Sequence, residues 1–323
     1  MRVKFGIDHA GMHVDQLLSN VAIGYMPEGI IADAVMPIVT VPKQSDNYLI
    51  FDRGDVLRIE STRRSPGTEA NKITRNVSSA TFFCENFALK YPVTIEDKAN
   101  ADPIFVQGIL NSRVNFIQDK LYLDWENRVA SLVTNTSNVG SSSAVNSAWT
   151  DYTSGNADPI NDINTAIDNV QDQTGKRPNK IIFGQEAWRH FRRNEAVRNL
   201  IYGTNNGGGF ASRDQVKSLF EVDELLVGGA YKNTGNEAQA DALSQIWGDK
   251  VLVSYTAPNP SIEIPSFAYS FRWKASGLPD MMVERHPYDS KIKAEEIEVG
   301  YYQDEIVTGA DYGFLIVAVT SAT

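Results

Sequence analysis

Four histidines and a single cysteine are this chain's scarce reactive side chains, and their spacing selects no common catalytic device. His9 and His13, in HAGMH, stand one helical turn apart, the interval that lets two imidazoles share a zinc ion. Gly11 lies between them and no HExxH pattern accompanies them, so incidental arm residues are the simpler reading. His190, in AWRHF, reads as a helix-surface or packing histidine, and His286 precedes Pro287 in a turn. Cys84 stands among Phe82, Phe83 and Phe87; with no second cysteine it forms no internal disulfide and reads as a small core residue rather than a reactive thiol. Two glycine-bearing stretches, GTNNGGGF and QTGKRP, fail as phosphate cradles. The first lacks a following Lys-Ser/Thr pair, and the second follows a helix without the upstream glycine. No G-x-S-x-G elbow occurs, SFRWKASG has no partner set, and the carboxylates of AEEIEVGYYQDE look like the solvated face of strands. Nothing selects a catalytic acid pair, a cofactor or a metal, which leaves a soluble α/β enzyme using Asp or Glu as an open alternative.

Basic residues gather in two places. RHFRRNEAVR carries Arg189, Arg192, Arg193 and Arg198, a pattern that fits a solvated helix face better than a contact with nucleic acid or a partner carboxylate. The stretch RIESTRRSPGTEANKITRNVSS, residues 58–79, carries Arg58, Arg63, Arg64, Glu69, Lys72 and Arg75 around the turn pair Pro66-Gly67. A projecting tip has little structural reason to be so charged unless it docks, which makes these six residues the candidate contacts.

Flanking this stretch, LRIE alternates Leu57 and Ile59 with Arg58 and Glu60, and FALKYPV sets Phe87, Leu89, Tyr91 and Val93 on one side. Period two predicts strands, hence a long two-stranded β-arm over residues 46–97 with a charged tip, mobile alone and ordered by a partner. Residues 1–45, with Pro27, Pro37 and Pro42, hold no sustained period and read as an extended arm whose Ile30, Ile31, Val35, Ile38 and Val41 must lie against the body or a neighbour. Asp102 and Pro103 are placed to cap and open a helix on which Leu110, Val114, Ile117, Leu121, Trp125, Val129 and Leu132 recur at steps of three and four. Roughly 30 residues at about 1.5 Å each give a rod of about 45 Å.

The Ser/Asn-rich NTSNVGSSSAVNSAW reads as a surface loop that closes the spine-helix segment, residues 98–150. A compact α/β region follows over residues 151–262. It has a helix in DPINDINTAIDNVQDQTG stopped by Gly175, a strand in KIIFG, a helix in QEAWRHFRRNEAVRNLIYG, and strands in ELLVGGAY and KVLVSYTAP. Residues 263–323 hold FAYSFRW, MMVERHPY, AEEIEVGYYQDEIV and YGFLIVAVT, which predict one antiparallel sheet.

The chain has 323 residues, 42% of them hydrophobic and 22% charged, so it can bury a real core. Its formal net charge of −10 argues against a surface built to grip phosphates throughout. The N-terminus lacks an apolar leader and FLIVAV is too short to span a bilayer, so the expectation is a soluble chain without membrane contact.

The order of these parts resembles the major capsid protein of tailed bacteriophages, the Hong Kong phage-type shell fold shared with encapsulins. The resemblance spans nearly the whole chain. It rests on LRIESTRRSPGTEANKITRNVSSATFFCENFALKYPVTIED followed by ADPIFVQGILNSRVNFIQDKLYLDWE, then KIIFGQEAWRHFRRN and VLVSYTAPNPS. It implies an α+β shell fold whose spine and C-terminal strands make a peripheral domain, with an axial domain after the spine and residues 58–79 at the outer end of an extended loop lying on a neighbour. It further implies a non-enzymatic subunit of hexamers and pentamers enclosing double-stranded DNA without reading its sequence. Assembly in the host cytoplasm would use a separate scaffolding protein, a portal and in some shells a decoration protein. Some relatives crosslink neighbours through a lysine; Lys72 is the conceivable one here, without a visible motif. An encapsulin-like compartment holding a cargo peptide is the rival within the same fold.

Overall fold

The computed structural model describes residues 29–320 except 52, 101–105, 153–156, 204–208, 237–238 and 275–278. His9, His13, the Asp102 cap and Pro103 lie outside the described residues.

The segment after Gly29 packs on its own body. A short helix α1 (Ala32–Val35) and strand β1 (Ile38–Val41) follow one another, and Ala32, Val35 and Met36 are fully buried. Next come β2 (Ser45–Phe51), α2 (Arg53–Leu57), β3 (Val77–Phe83) and β4 (Glu85–Thr94). The two-stranded ribbon is therefore β2 with β3, paired antiparallel from Ser45↔Phe83 to Phe51↔Val77. This corrects the expected hairpin on both sides. LRIE forms no strand, because Leu57 ends α2 and residues 58–65 carry no regular structure. FALKYPV belongs to β4, which leaves the ribbon and pairs with β13 (Ala294–Val307) over ten residues. In β4, Val93 is buried and Phe87 and Tyr91 half-buried, while Leu89 stays 44% exposed.

After α3 (Ile95–Ala99), the helix α4 (Val106–Val133) runs 28 residues, about 42 Å at about 1.5 Å each. Leu110, Val114, Ile117, Leu121, Trp125 and Val129 are all buried along one side, as their spacing predicts, and Leu132 is half-buried. That side packs on a sheet in which β1 lies parallel on β11 (Ala268–Trp273), β11 antiparallel on β13, and β12 (Met282–Arg285) beside it on β13. Arg128 fastens the helix to the sheet: its guanidinium pairs with Glu305 at 2.9 Å and stacks 3.6 Å above the Phe87 ring.

A second sheet has the order β5 (Ser141–Ala144), β14 (Gly313–Val317), β10 (Val251–Ser254), β6 (Lys180–Gly184), β7 (Glu224–Gly228). Two of its strands depart from the sequence expectation. β14 joins this sheet instead of the C-terminal one, and the supposed surface loop 135–149 holds β5 and the fully buried Trp149. Helix α5 (Pro159–Thr174) starts where Asp158 accepts the Asn161 N–H and stops at Gly175, whose φ of 69° suits glycine. The next expected helix divides into α6 (Gln185–Phe191) and α7 (Glu195–Tyr202), since buried Asn194 accepts the Ala196 N–H and caps the second. α8 (Arg213–Phe220) opens on a Ser212–Gln215 capping box, and β8 (Tyr231–Asn233) with β9 (Leu243–Gln245) forms a small hairpin. No helix among the described residues is long and apolar enough to cross a membrane.

Candidate assembly surface

The ribbon is anchored at its root and open beyond it. Phe82, Tyr48 and Cys84 pack with Val39, Val41, Tyr269 and Phe271 in a core of their own, and the Phe82 and Phe271 rings stack with centroids 4.7 Å apart. Cys84 is fully buried with its thiol on the Phe271 carbonyl, and burial pushes its pKa up to about 11, so it is a packing residue. The β3 end is fixed where Asp304 accepts the Phe83 N–H at 2.8 Å; burial nevertheless raises the Asp304 carboxyl above the usual range. A cleft of about 350 Å³ opens between Tyr48 and Ile50 of the ribbon and Ile264, Tyr269 and Tyr312 of the body.

Beyond the ribbon, residues 58–76 form an irregular loop with defined joints. Asp55 closes its mouth by accepting the Asn76 N–H at 2.8 Å, with Arg58 3.8 Å away. The Pro66-Gly67 turn forms as expected, with the Thr68 N–H on the Ser65 carbonyl and Gly67 at φ 82°. Arg64 Nε donates to the Thr68 carbonyl and Asn71 to the Ser61 carbonyl, so the tip holds its shape through its own polar groups.

All six predicted contact residues share this projection and sit at different places on it. Arg58 and Arg75 stand at the loop mouth and share a groove with Arg64, Ile73 and Asp55. Arg64 belongs to the turn, and Glu69 and Lys72 make a loose pair at 4.0 Å, each close to 90% exposed. Arg63 has no charged partner within reach among the described residues. An exposed pair such as Glu69–Lys72 contributes little to folding, so Glu69 and Lys72 can exchange one another for outside partners.

Sequence reasoning missed the loop's apolar content. Ile59 is 97% exposed and Ile73 75%, and Val77 and Leu49, which share one face of the ribbon, continue exposed apolar surface along it. The alternation of Leu57 and Ile59 with Arg58 and Glu60 predicts a strand, and without that strand Ile59 is left in the open loop. The second basic cluster lies elsewhere: Arg189, Arg192 and Arg193 border a cleft with Trp188 and Phe210, and the Arg192 guanidinium stands 5.0 Å from the Phe210 ring centroid. His190 Nδ1 meets the Tyr152 hydroxyl at 2.6 Å, a packing role, and His286 faces Glu298 at the end of β12.

The sequence profile described as Phage major capsid protein E matches residues 96–255. Over 312 residues the chain is 26% identical to the major capsid protein of Burkholderia phage BcepMu, covering 94% of this chain and 95% of that one. Among solved structures, a phage-related protein from Bordetella bronchiseptica RB50 is similar at a TM-score of 0.74 and 22% identity, covering 96% of this chain and 98% of that one. A virus-like particle from Pyrococcus furiosus is similar at a TM-score of 0.52 and 12% identity, covering 93% and 95%.

Proposed function

We infer that this chain, a phage major capsid protein with the mixed α+β capsid fold, assembles into hexamers and pentamers that close an icosahedral shell around double-stranded DNA. It is a structural component of the virion shell. The observation that carries the assembly reading is the projecting loop. A lone subunit leaves Ile59 97% and Ile73 75% exposed beside Arg63 and Lys72, and a neighbouring subunit is the surface that would cover them.

In this reading residues 46–97 are the extended loop and its root, and Arg58, Arg63, Arg64, Glu69, Lys72 and Arg75 make intersubunit contacts. The helix α4 and the first sheet serve as the peripheral domain. The second sheet with α5–α8 serves as the axial domain near capsomer centres, and β5 and β14 join it from the flanking segments. A separate scaffolding protein and a portal complete the assembly. DNA is held by enclosure, consistent with a net charge of −10.

The full chain, expressed with its scaffold, is expected to give closed particles in negative-stain images and to protect DNA from nuclease once packaged. A species that stays small under every assembly condition overturns the reading. Particles loaded with a peptide-tagged protein instead of DNA would assign the chain to a compartment of the encapsulin kind.

A further inference from the structure

The first sheet sets two carboxylates against each other. In the β12–β13 register Glu284 lies directly opposite Glu298, and like charges in that position destabilise a sheet. Across β13, Lys90 stands opposite Glu298 and lies 3.2 Å from its Oε2, with Glu296 also in its reach at 3.8 Å. His286, two residues beyond Glu284 and hence on the same face, brings Nε2 to 2.8 Å from the same Glu298 oxygen. Lys90 thus serves Glu298 and Glu296, and no cation among the described residues is paired with Glu284. One ligand atom each from Glu284, His286 and Glu298 lies within 4.8 Å of the others, and all three side chains are half-buried.

We propose that Glu284, His286 and Glu298 bind a divalent transition metal of the zinc type, which clips the short strand β12 onto β13. One imidazole nitrogen and two carboxylate oxygens form a three-ligand set suited to tetrahedral Zn²⁺ with water in the fourth position. Calcium and magnesium fit poorly, because they take six or more oxygen ligands and find only two carboxylates and an imidazole here. The metal occupies the place now held by the His286–Glu298 hydrogen bond and supplies the positive charge that the Glu284–Glu298 pair lacks. Lys90, 46% exposed and flexible, keeps Glu296 as its partner when Glu298 turns to the ion. The ion would tie down β12, which is only four residues long, and the turn that follows it.

The test uses the purified full chain, stripped with EDTA and titrated with zinc chloride by calorimetry and with cobalt chloride by visible absorption. One equivalent is expected, with a tetrahedral cobalt spectrum and a raised melting temperature. Glu284→Gln is close in shape and leaves the Lys90–Glu298 pair in place, and it should weaken binding at least tenfold; His286→Ala should abolish the cobalt band. Circular dichroism of both variants establishes that they fold. Binding unchanged in Glu284→Gln overturns the proposal. So does loss of binding in a His9→Ala, His13→Ala double variant, or equal occupancy by calcium.

Discussion

Glu126 is the residue on which the body's two sheets and the N-terminal segment meet. It sits fully buried on α4, where Oε2 accepts the Ile31 and Ala32 N–H groups at 3.0 and 2.8 Å and Oε1 accepts the Trp247 indole N–H. Burial raises its pKa above the usual carboxylate value, although these three donors pull the other way. A carboxyl whose folded pKa is raised binds its proton more tightly folded than unfolded. Its contribution to stability therefore falls as pH rises from the unfolded value through the folded one, and grows as pH falls through that window. In Glu126→Gln the amide can keep the two backbone donors but turns an N–H₂ toward the indole N–H. The expected cost is about 1–3 kcal/mol at neutral pH, growing as the pH is lowered toward the usual carboxylate value, as urea melts at both pH values will read. Nothing in LDWENRV distinguishes this glutamate from a solvated one, because its partners come from segments about 95 and 121 residues away.

At the scale of elements, the second sheet meets Trp247 through a glycine. A Cβ on Gly228, the last residue of β7, would lie 2.1 Å from Trp247 Cδ1, and the indole is 3% exposed with no room to retreat. Gly228→Ala should push the ring off Glu126 and cost about 1–3 kcal/mol, read as a lower melting temperature with altered tryptophan fluorescence. Because both changes disturb one hydrogen bond, the Gly228→Ala, Glu126→Gln double variant should cost less than the sum of the two.

Elements whose pattern is local were legible: the apolar recurrence of α4, the Gly175 end of α5, the Pro66-Gly67 turn and the full length of β13 all follow from neighbouring residues. Those that failed depend on distant partners. LRIE alternates like a strand, yet nothing among the described residues pairs with it, while SDNYLIF forms β2 because Val77–Phe83 lies opposite. YGFLIVAVT reads as a strand, but its sequence carries no information on whether β10 or the C-terminal sheet receives it. The charges of the loop can be read directly from residues 58–75, whereas the exposure of Ile59 cannot, because the alternation of LRIE predicts a strand that the fold does not form.

At the scale of the whole molecule, the loop's two kinds of side chain should fail differently when changed. Ile59 and Ile73 are far from their own core, so replacing both with Asp should leave the fold within about 0.5 kcal/mol of the parent. Each isoleucine covered by a neighbour would contribute about 1.5–3 kcal/mol to that contact, and the contact repeats at every subunit of a shell. The double Asp variant should therefore fold and yield few or no particles at any salt. Arg63→Glu with Arg64→Glu changes steering and register more than contact area, since charges at a docking surface act chiefly on encounter. Arg64 also holds the turn through the Thr68 carbonyl, so part of the effect of this pair is a looser tip. Its assembly should be slow at low ionic strength and approach the parent as salt screens the reversed charges on both. Light scattering of assembly at two salt concentrations, with particle counts by electron microscopy, separates the outcomes. If both variants assemble as the parent does, the loop has no docking role.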